Sequence, residues 1–432
     1  MKKIMRPTKV MIQNKNALVR KVRDNLCYFS LSKGVAFIAP ILLLKFVSLE
    51  EYGVIEFSYS FGSVIAVLAM LGLGGAYPYF ILKKEQWDKE QAFMLYGFPV
   101  MGATVAVCLL RWLGVLGQQT GLVLLFTLIF ALQRLYSSVL KSNDKGYLGV
   151  LVDGGYYFLL TGVILMVWLL GISHPVRLLE GAMQVYLFAL AAFFIWRFYA
   201  VRTKSIRDIV RDDCPPILRY SVHLILSGIL IYWLTSSARI YIGYFMGYEQ
   251  VGIYSFYFRL AGVAIIIHQF LYIAFFQRLY MGDTRRLDFY YMAIMGFVLL
   301  GCLVCYLCIP LLSRYFLNGV DVNNARLFLL LTLQMPVWVG ISFCEGLAGR
   351  ENLVGKMNLC IGICVLIFPL VLLLLRERLT LELFTLLNAV AFSVSFMFQM
   401  AILNKRGIML KRCFVFNLLL LSASAATYFI VN

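Results

Sequence analysis

Arg239 and Arg259 stand inside long apolar stretches, each ten residues from Glu249 in the turn between them. On helices rising 1.5 Å per residue both lie about 15 Å from that turn, so they share a depth. Two guanidiniums at one level in a low dielectric repel unless an anion or ordered water sits between them. A diphosphate suits such a pair, because the guanidinium fork binds its oxygens two at a time. Lys33 is a third cation in an apolar stretch. Tyr232 and Thr235 fall within about 60° of Arg239 on a helix and extend a polar stripe that would line a cavity. The structural alternatives for these cations are snorkelling, pairing with an acid, or capping carbonyls at a bent helix. His268, nine residues after Arg259, points to the opposite helix face and reads as a packing residue.

Three acids, Glu56, Asp153 and Glu345, are candidates for binding a driving proton or sodium ion. Glu56 lies near the outer end of its stretch and Asp153 near an inner end, where solvent can satisfy a carboxylate. Glu345 stands nine residues after Pro336, where a kink is expected. Pro40, Pro78, Pro99, Pro310 and Pro369 interrupt other stretches, either as hinges or for packing. Cys302, Cys305 and Cys308 share one helical face at metal-like spacing. Small apolar side chains in a membrane helix account for them more cheaply, and no metal or cofactor is expected. The sequence has no Walker-type phosphate loop, no nucleophile-elbow serine motif and no zinc-protease motif, so ATP hydrolysis and common hydrolase chemistry are not expected.

The elements that must hold these residues follow from composition. Of 432 residues, 62% are hydrophobic and 14% are charged, and mean hydropathy is +0.85. That is the balance of an all-α polytopic membrane protein, with too little polar sequence for a separate soluble catalytic domain. Apolar stretches run at about 27–48, 54–82, 93–115, 119–139, 148–171, 183–200, 217–245, 251–277, 289–316, 325–348, 354–375, 382–403 and 413–431. The tail 1–26 carries eight Lys or Arg and one acid, and no signal-peptide core precedes residue 27.

With the tail inside, the loops on its side and the tail itself hold 26 Lys or Arg, against 3 in the opposite loops. This asymmetry places the amino terminus in the cytoplasm and the end of a thirteenth span outside. The net charge of +18 is therefore a topological signal facing anionic membrane lipids, and nucleic acid is not expected as a partner. All ten cysteines fall in spans or on the inner side, so no disulfides are expected.

The segment FVSLEEYGVIEF from Phe46 aligns without a gap on FMGYEQVGIYSF from Phe245, at an offset of 199 residues. Phe46/Phe245, Glu50/Glu249, Gly53/Gly252 and Phe57/Phe256 coincide. Both copies occupy the outer turn of the first hairpin in successive groups of six spans. The pattern predicts a six-helix lobe at 27–200, a basic linker at 201–216, a second six-helix lobe at 217–403, and a basic loop with an additional helix at 404–432. An even number of spans per lobe relates the two by a pseudo-two-fold along the membrane normal, as in transporters.

At these residues the sequence resembles the O-antigen and polysaccharide flippases of the multidrug/oligosaccharidyl-lipid/polysaccharide (MOP) exporter superfamily. LSKGVAFIAPILLLKFVSLEEYGVIEF resembles the family's first hairpin, and MLGLGGAYPYF the small-residue run ending its second helix. SSARIYIGYFMGYEQVGIYSFYFRLAG resembles its seventh and eighth helices, with Ala238 where the family often has an acid, and with Arg239, Val251-Gly252-Ile253-Tyr254-Ser255 and Arg259 kept. The missing acid weakens any borrowed ion-coupling scheme. The resemblance implies a flippase that carries a polyprenyl-diphosphate-linked oligosaccharide across a bacterial plasma membrane by alternating access, with Lys33, Arg239 and Arg259 on the diphosphate. Drive would come from an ion gradient or from consumption of product outside. A multidrug or small-molecule exporter of the same superfamily is the first alternative, a membrane enzyme acting on lipid-linked sugars the second.

Overall fold

The computed structural model describes residues 15–143, 145–201, 204–269, 284–316, 324–351 and 353–430. Most of the basic tail, the end of the eighth stretch (270–277) and the side chains of Cys308 and Pro310 lie outside the described residues. Among the described residues all regular structure is helical. The first half of the chain forms α1 (Lys15–Leu43), α2 (Leu49–Ala69), α3 (Leu73–Pro78), α4 (Glu90–Met94), α5 (Gly97–Trp112), α6 (Gln118–Ser142), α7 (Gly146–Asp153), α8 (Gly155–Leu170) and α9 (Pro175–Ala200). The second half forms α10 (Cys214–Ser236), α11 (Ala238–Met246), α12 (Tyr248–Ala261), α13 (Thr284–Phe316), α14 (Ala325–Arg350), α15 (Val354–Leu374), α16 (Leu381–Asn404) and α17 (Lys411–Ile430).

Among the described residues, each of the thirteen apolar stretches contains helix. Among the described residues, ten helices are long and apolar enough to cross a membrane, and twelve if two bent pairs count as one span each. The first stretch supplies a shorter apolar helix, Cys27–Leu43. One bent pair turns by 51° at Gly154, where a Cβ would stand 2.3 Å from the Ser32 hydroxyl of α1. The second stretch does not stay one helix. Leu71 and Gly72 take φ of 53° and 69°, ending α2 and starting α3 at a new angle. Glycine is required at 72, both for its φ and because a Cβ would lie 2.5 Å from the Ser221 carbonyl of α10. Carbonyls near the break are met by side chains: Tyr96 Oη donates to Ala69 O at 2.6 Å and Ser138 Oγ to Gly74 O at 2.5 Å. α14 stays helical through Pro336. The seventh stretch instead divides at Ser237.

α2 packs most closely on α6 in the first half, and α14 on α16 in the second. α10 packs on α2 and α3 as well as on α15, so the seventh span is a point of contact between the halves. The connecting segment is fastened to the loop before α4. Lys204 Nζ reaches Asp88 at 3.1 Å and Asp213 at 2.9 Å, and the Lys204 backbone N–H donates to Gln91 Oε1 at 3.1 Å. The last helix is a packed member of the second half, lying on α13, α14 and α16. Asp288 of α13 caps its start, accepting from the backbone N–H groups of Arg412 and Cys413 at 2.9 and 3.1 Å.

Candidate functional site: a charge cluster between the two halves

α2 lies along the second half of the chain on a stripe with helical period: Leu49, Gly53, Glu56, Ser60, Val67. A capping box starts it, with Ser48 Oγ accepting from Glu51 N–H and Glu51 Oε2 accepting from Ser48 N–H. The aligned position in the second copy is Gly247, at φ 91°, which makes the equivalent turn by backbone freedom alone. The two copies meet at their glycines. A Cβ on Gly53 would stand 1.7 Å from the Tyr248 carbonyl, and one on Gly252 would stand 2.4 Å from the Leu49 carbonyl. Leu49 and Tyr248, like Gly53 and Gly252, are 199 residues apart, so the contact is related to itself by the repeat.

One turn further the repeat breaks its symmetry. Glu56 aligns with Ser255 and Ser60 with Arg259. Arg259 Nε donates to Glu56 Oε1 at 2.9 Å, and its Nη2 donates to the same oxygen at 2.5 Å. Arg239 Nε lies 3.3 Å from Glu56 Oε2 and donates to Ser255 Oγ at 2.8 Å, while its Nη1 donates to Ser60 Oγ at 3.2 Å. Arg239 thus bridges the two serines and leaves an ionic contact, not a hydrogen bond, to the carboxylate. Phe258 lies under the Arg239 guanidinium at 4.8 Å, and Tyr59 and Tyr157, joined by a 2.8 Å hydroxyl bond, flank Arg259 at 5.9 and 5.8 Å. The side chains of Glu56, Arg239 and Arg259 are 2, 9 and 11% exposed.

The structure therefore brings Arg239 and Arg259 together as the sequence suggested, and supplies the anion between them. Glu56 is not a solvated carboxylate at a helix end. Distance along a helix gives depth but not neighbours, and at this depth α2 abuts α12. A third cation was missed. Arg134 of α6 donates to the Ser63 carbonyl at 3.1 Å and lies 4.3 Å over the Tyr232 ring of α10; it has no acidic partner among the described residues. It is an ionised side chain inside the fourth apolar stretch, the same signal that singled out Arg239.

The other candidates lie elsewhere. Tyr232 faces Arg134 rather than extending a stripe from Arg239, because the helix divides between them. Thr235 is half-buried near the end of α10. Lys33 sits 5.8 Å from the Phe29 ring on its own helix and beside the Lys141–Asp153 pair, outside the cluster. Asp153 holds Lys141 at 2.7 Å, with both side chains well exposed. Glu345 is half-buried on α14 and makes no ion pair among the described residues. His268 packs as expected on the face away from Arg259, 4.9 Å from Phe343 and 3.3 Å from Ser342 Oγ.

No protein-family model matches the sequence, and no curated protein matches it. A solved structure does match: the inward-facing conformation of a multidrug resistance MATE family transporter of the MOP superfamily, at TM-score 0.55 and 14% identity. The match covers 92% of this chain and 96% of that one. This chain shares that transporter's fold. It is a multi-pass membrane protein, all-helical among the described residues with ten to twelve apolar spans. The charge cluster described above lies on the helices through which its two halves touch.

Proposed function

We propose that the chain is an alternating-access transporter whose cargo is a lipid-linked anion, a polyprenyl-diphosphate oligosaccharide moved from the inner to the outer leaflet of a bacterial plasma membrane for surface polysaccharide assembly. The observation that carries this reading is the charge balance along the buried turns of α2 among the described residues: three guanidiniums, Arg134, Arg239 and Arg259, to one carboxylate, Glu56. With the amino terminus inside, the Gly53–Gly252 contact closes the outer end. Opening that end separates Glu56 from Arg239 and Arg259, and unpaired guanidiniums in a low dielectric cost several kcal/mol each. A diphosphate replaces the carboxylate on the arginines and offsets that cost. The empty transporter is thereby held closed on the outer side and the loaded one released. In this account Glu56 stands in the resting state where the cargo's diphosphate stands in transit.

The second reading is an exporter of cationic small molecules. The half-buried, unpaired Glu345 favours it, as does the multidrug transporter of the same fold. The two readings separate on deletion of the chain from its host. Accumulation of a lipid-linked oligosaccharide on the inner leaflet supports the flippase, whereas altered drug tolerance with normal glycolipid supports the exporter.

A further inference from the structure

At the end of α2–α3 remote from the glycine contact, the chain makes a π-turn, Tyr79–Lys83, against the first turns of α10. Tyr79 and Tyr220 stack there with ring centroids 4.0 Å apart and planes 11° apart, and Phe80 packs edge-on to Tyr220 at 5.8 Å. Three ammonium groups gather on this platform. Lys83 and Lys84 lie 5.7 and 5.8 Å from the Tyr79 ring, and Lys89 lies 4.9 Å from the Phe80 ring. None of the three has an acidic partner among the described residues. The nearby acids are already engaged: Asp88 and Asp213 by Lys204, and Glu90 by Arg197 at 2.6 Å. Glu85 is exposed and pairs with none of the lysines. Beside the patch, the apolar side chains of Leu82 and Trp87 expose 48 and 36% of their surface.

We infer that this platform is a docking site for the diphosphate headgroup of an isoprenoid lipid, at the seam where the two halves meet on the inner side. An inner-loop lysine alone reports only topology. Here three ammonium groups without an acidic partner among the described residues converge on one aromatic surface, 4.9 to 5.8 Å from its ring centroids. Exposed Leu82 and Trp87 offer the first isoprene units an apolar shelf. The site rests on the flippase reading and adds a loading step to it: the headgroup is held at the seam before it reaches Arg134, Arg239 and Arg259.

The test is equilibrium binding of geranylgeranyl diphosphate to the purified full chain in non-ionic detergent, with geranylgeraniol and phosphatidylglycerol as competitors. The expected result is binding that geranylgeraniol does not displace and phosphatidylglycerol displaces only weakly. The variant Lys83→Gln/Lys84→Gln/Lys89→Gln should bind about tenfold more weakly or worse, and the matching triple Lys→Arg variant should retain affinity. Should the triple Gln variant fail to give a monodisperse protein, each single Lys→Gln substitution is expected to weaken binding about threefold. Unchanged binding by the Gln variants, loss in the Arg variant, or equal displacement by phosphatidylglycerol overturns the inference. Absence of diphosphate binding in the unaltered chain would bring down the flippase reading as well, which separates the two failures.

Discussion

Glu56 carries the ionic contacts of two guanidiniums from the other half of the chain, so its removal is the sharpest change available at the scale of a side chain. Glu56→Ala leaves Arg239 and Arg259 buried without a counter-charge, a loss of about 3–5 kcal/mol of stability. A fall in melting temperature of the purified protein checks it. The double variant Glu56→Ala/Arg259→Ala should recover a large part, since one of the orphaned charges leaves with its partner. Equal melting of Glu56→Ala and the unaltered chain would mean that water already replaces the carboxylate. Arg239 and Arg259 were legible in the sequence because an ionised group in an apolar stretch demands a reason. Glu56 was legible as a candidate but not in its environment, because hydropathy reports depth and cannot report which helix comes alongside. Arg134 obeys the same rule and sits by the cluster; Lys33 obeys it too and lies by an exposed ion pair.

Among elements, α2 is the rule along which the halves are measured. Its glycine meets a carbonyl at one end, its charged turn meets Arg239 and Arg259, and past its broken end Gly72 admits α10. Gly53→Ala places a methyl where the Tyr248 carbonyl now lies, 1.7 Å away, so α2 and α12 must move apart. Overpacking of this kind costs the closed arrangement about 1–3 kcal/mol. Ser255, fully buried beside Arg239, reports the change. In a Ser255→Cys background, Gly53→Ala should raise the rate of labelling by a membrane-impermeant maleimide, and an unchanged rate would show that the contact does not hold the end shut. The repeat that located Gly53 and Gly252 could be read from four identities in twelve residues. The breaks at Leu71–Gly72 and Ser237 could not, because an apolar run scores alike whether it is straight or bent. The break at 71–72 is set by what α10 needs to pass, a tertiary demand. Pro336, the local signal that was available, lies in unbroken helix.

For the molecule as a whole, topology and cargo are the claims at stake. α17 is 20 residues, long enough at about 1.5 Å per residue to cross the hydrocarbon core, and the basic NKRGIMLKR precedes it. A reporter fused after Asn432 should therefore be found outside, with the amino terminus inside; a cytoplasmic reporter would show that α17 does not span. The central claim is that arginines released from Glu56 carry an anionic lipid. Its most direct measurement is the leaflet position of the lipid-linked oligosaccharide in cells that lack the chain and are complemented with Arg239→Gln/Arg259→Gln at matched membrane level. The glycolipid is expected to stay on the inner leaflet in the double variant and to reach the outer leaflet with the unaltered chain. Outer-leaflet glycolipid at the unaltered level in the double variant would contradict it.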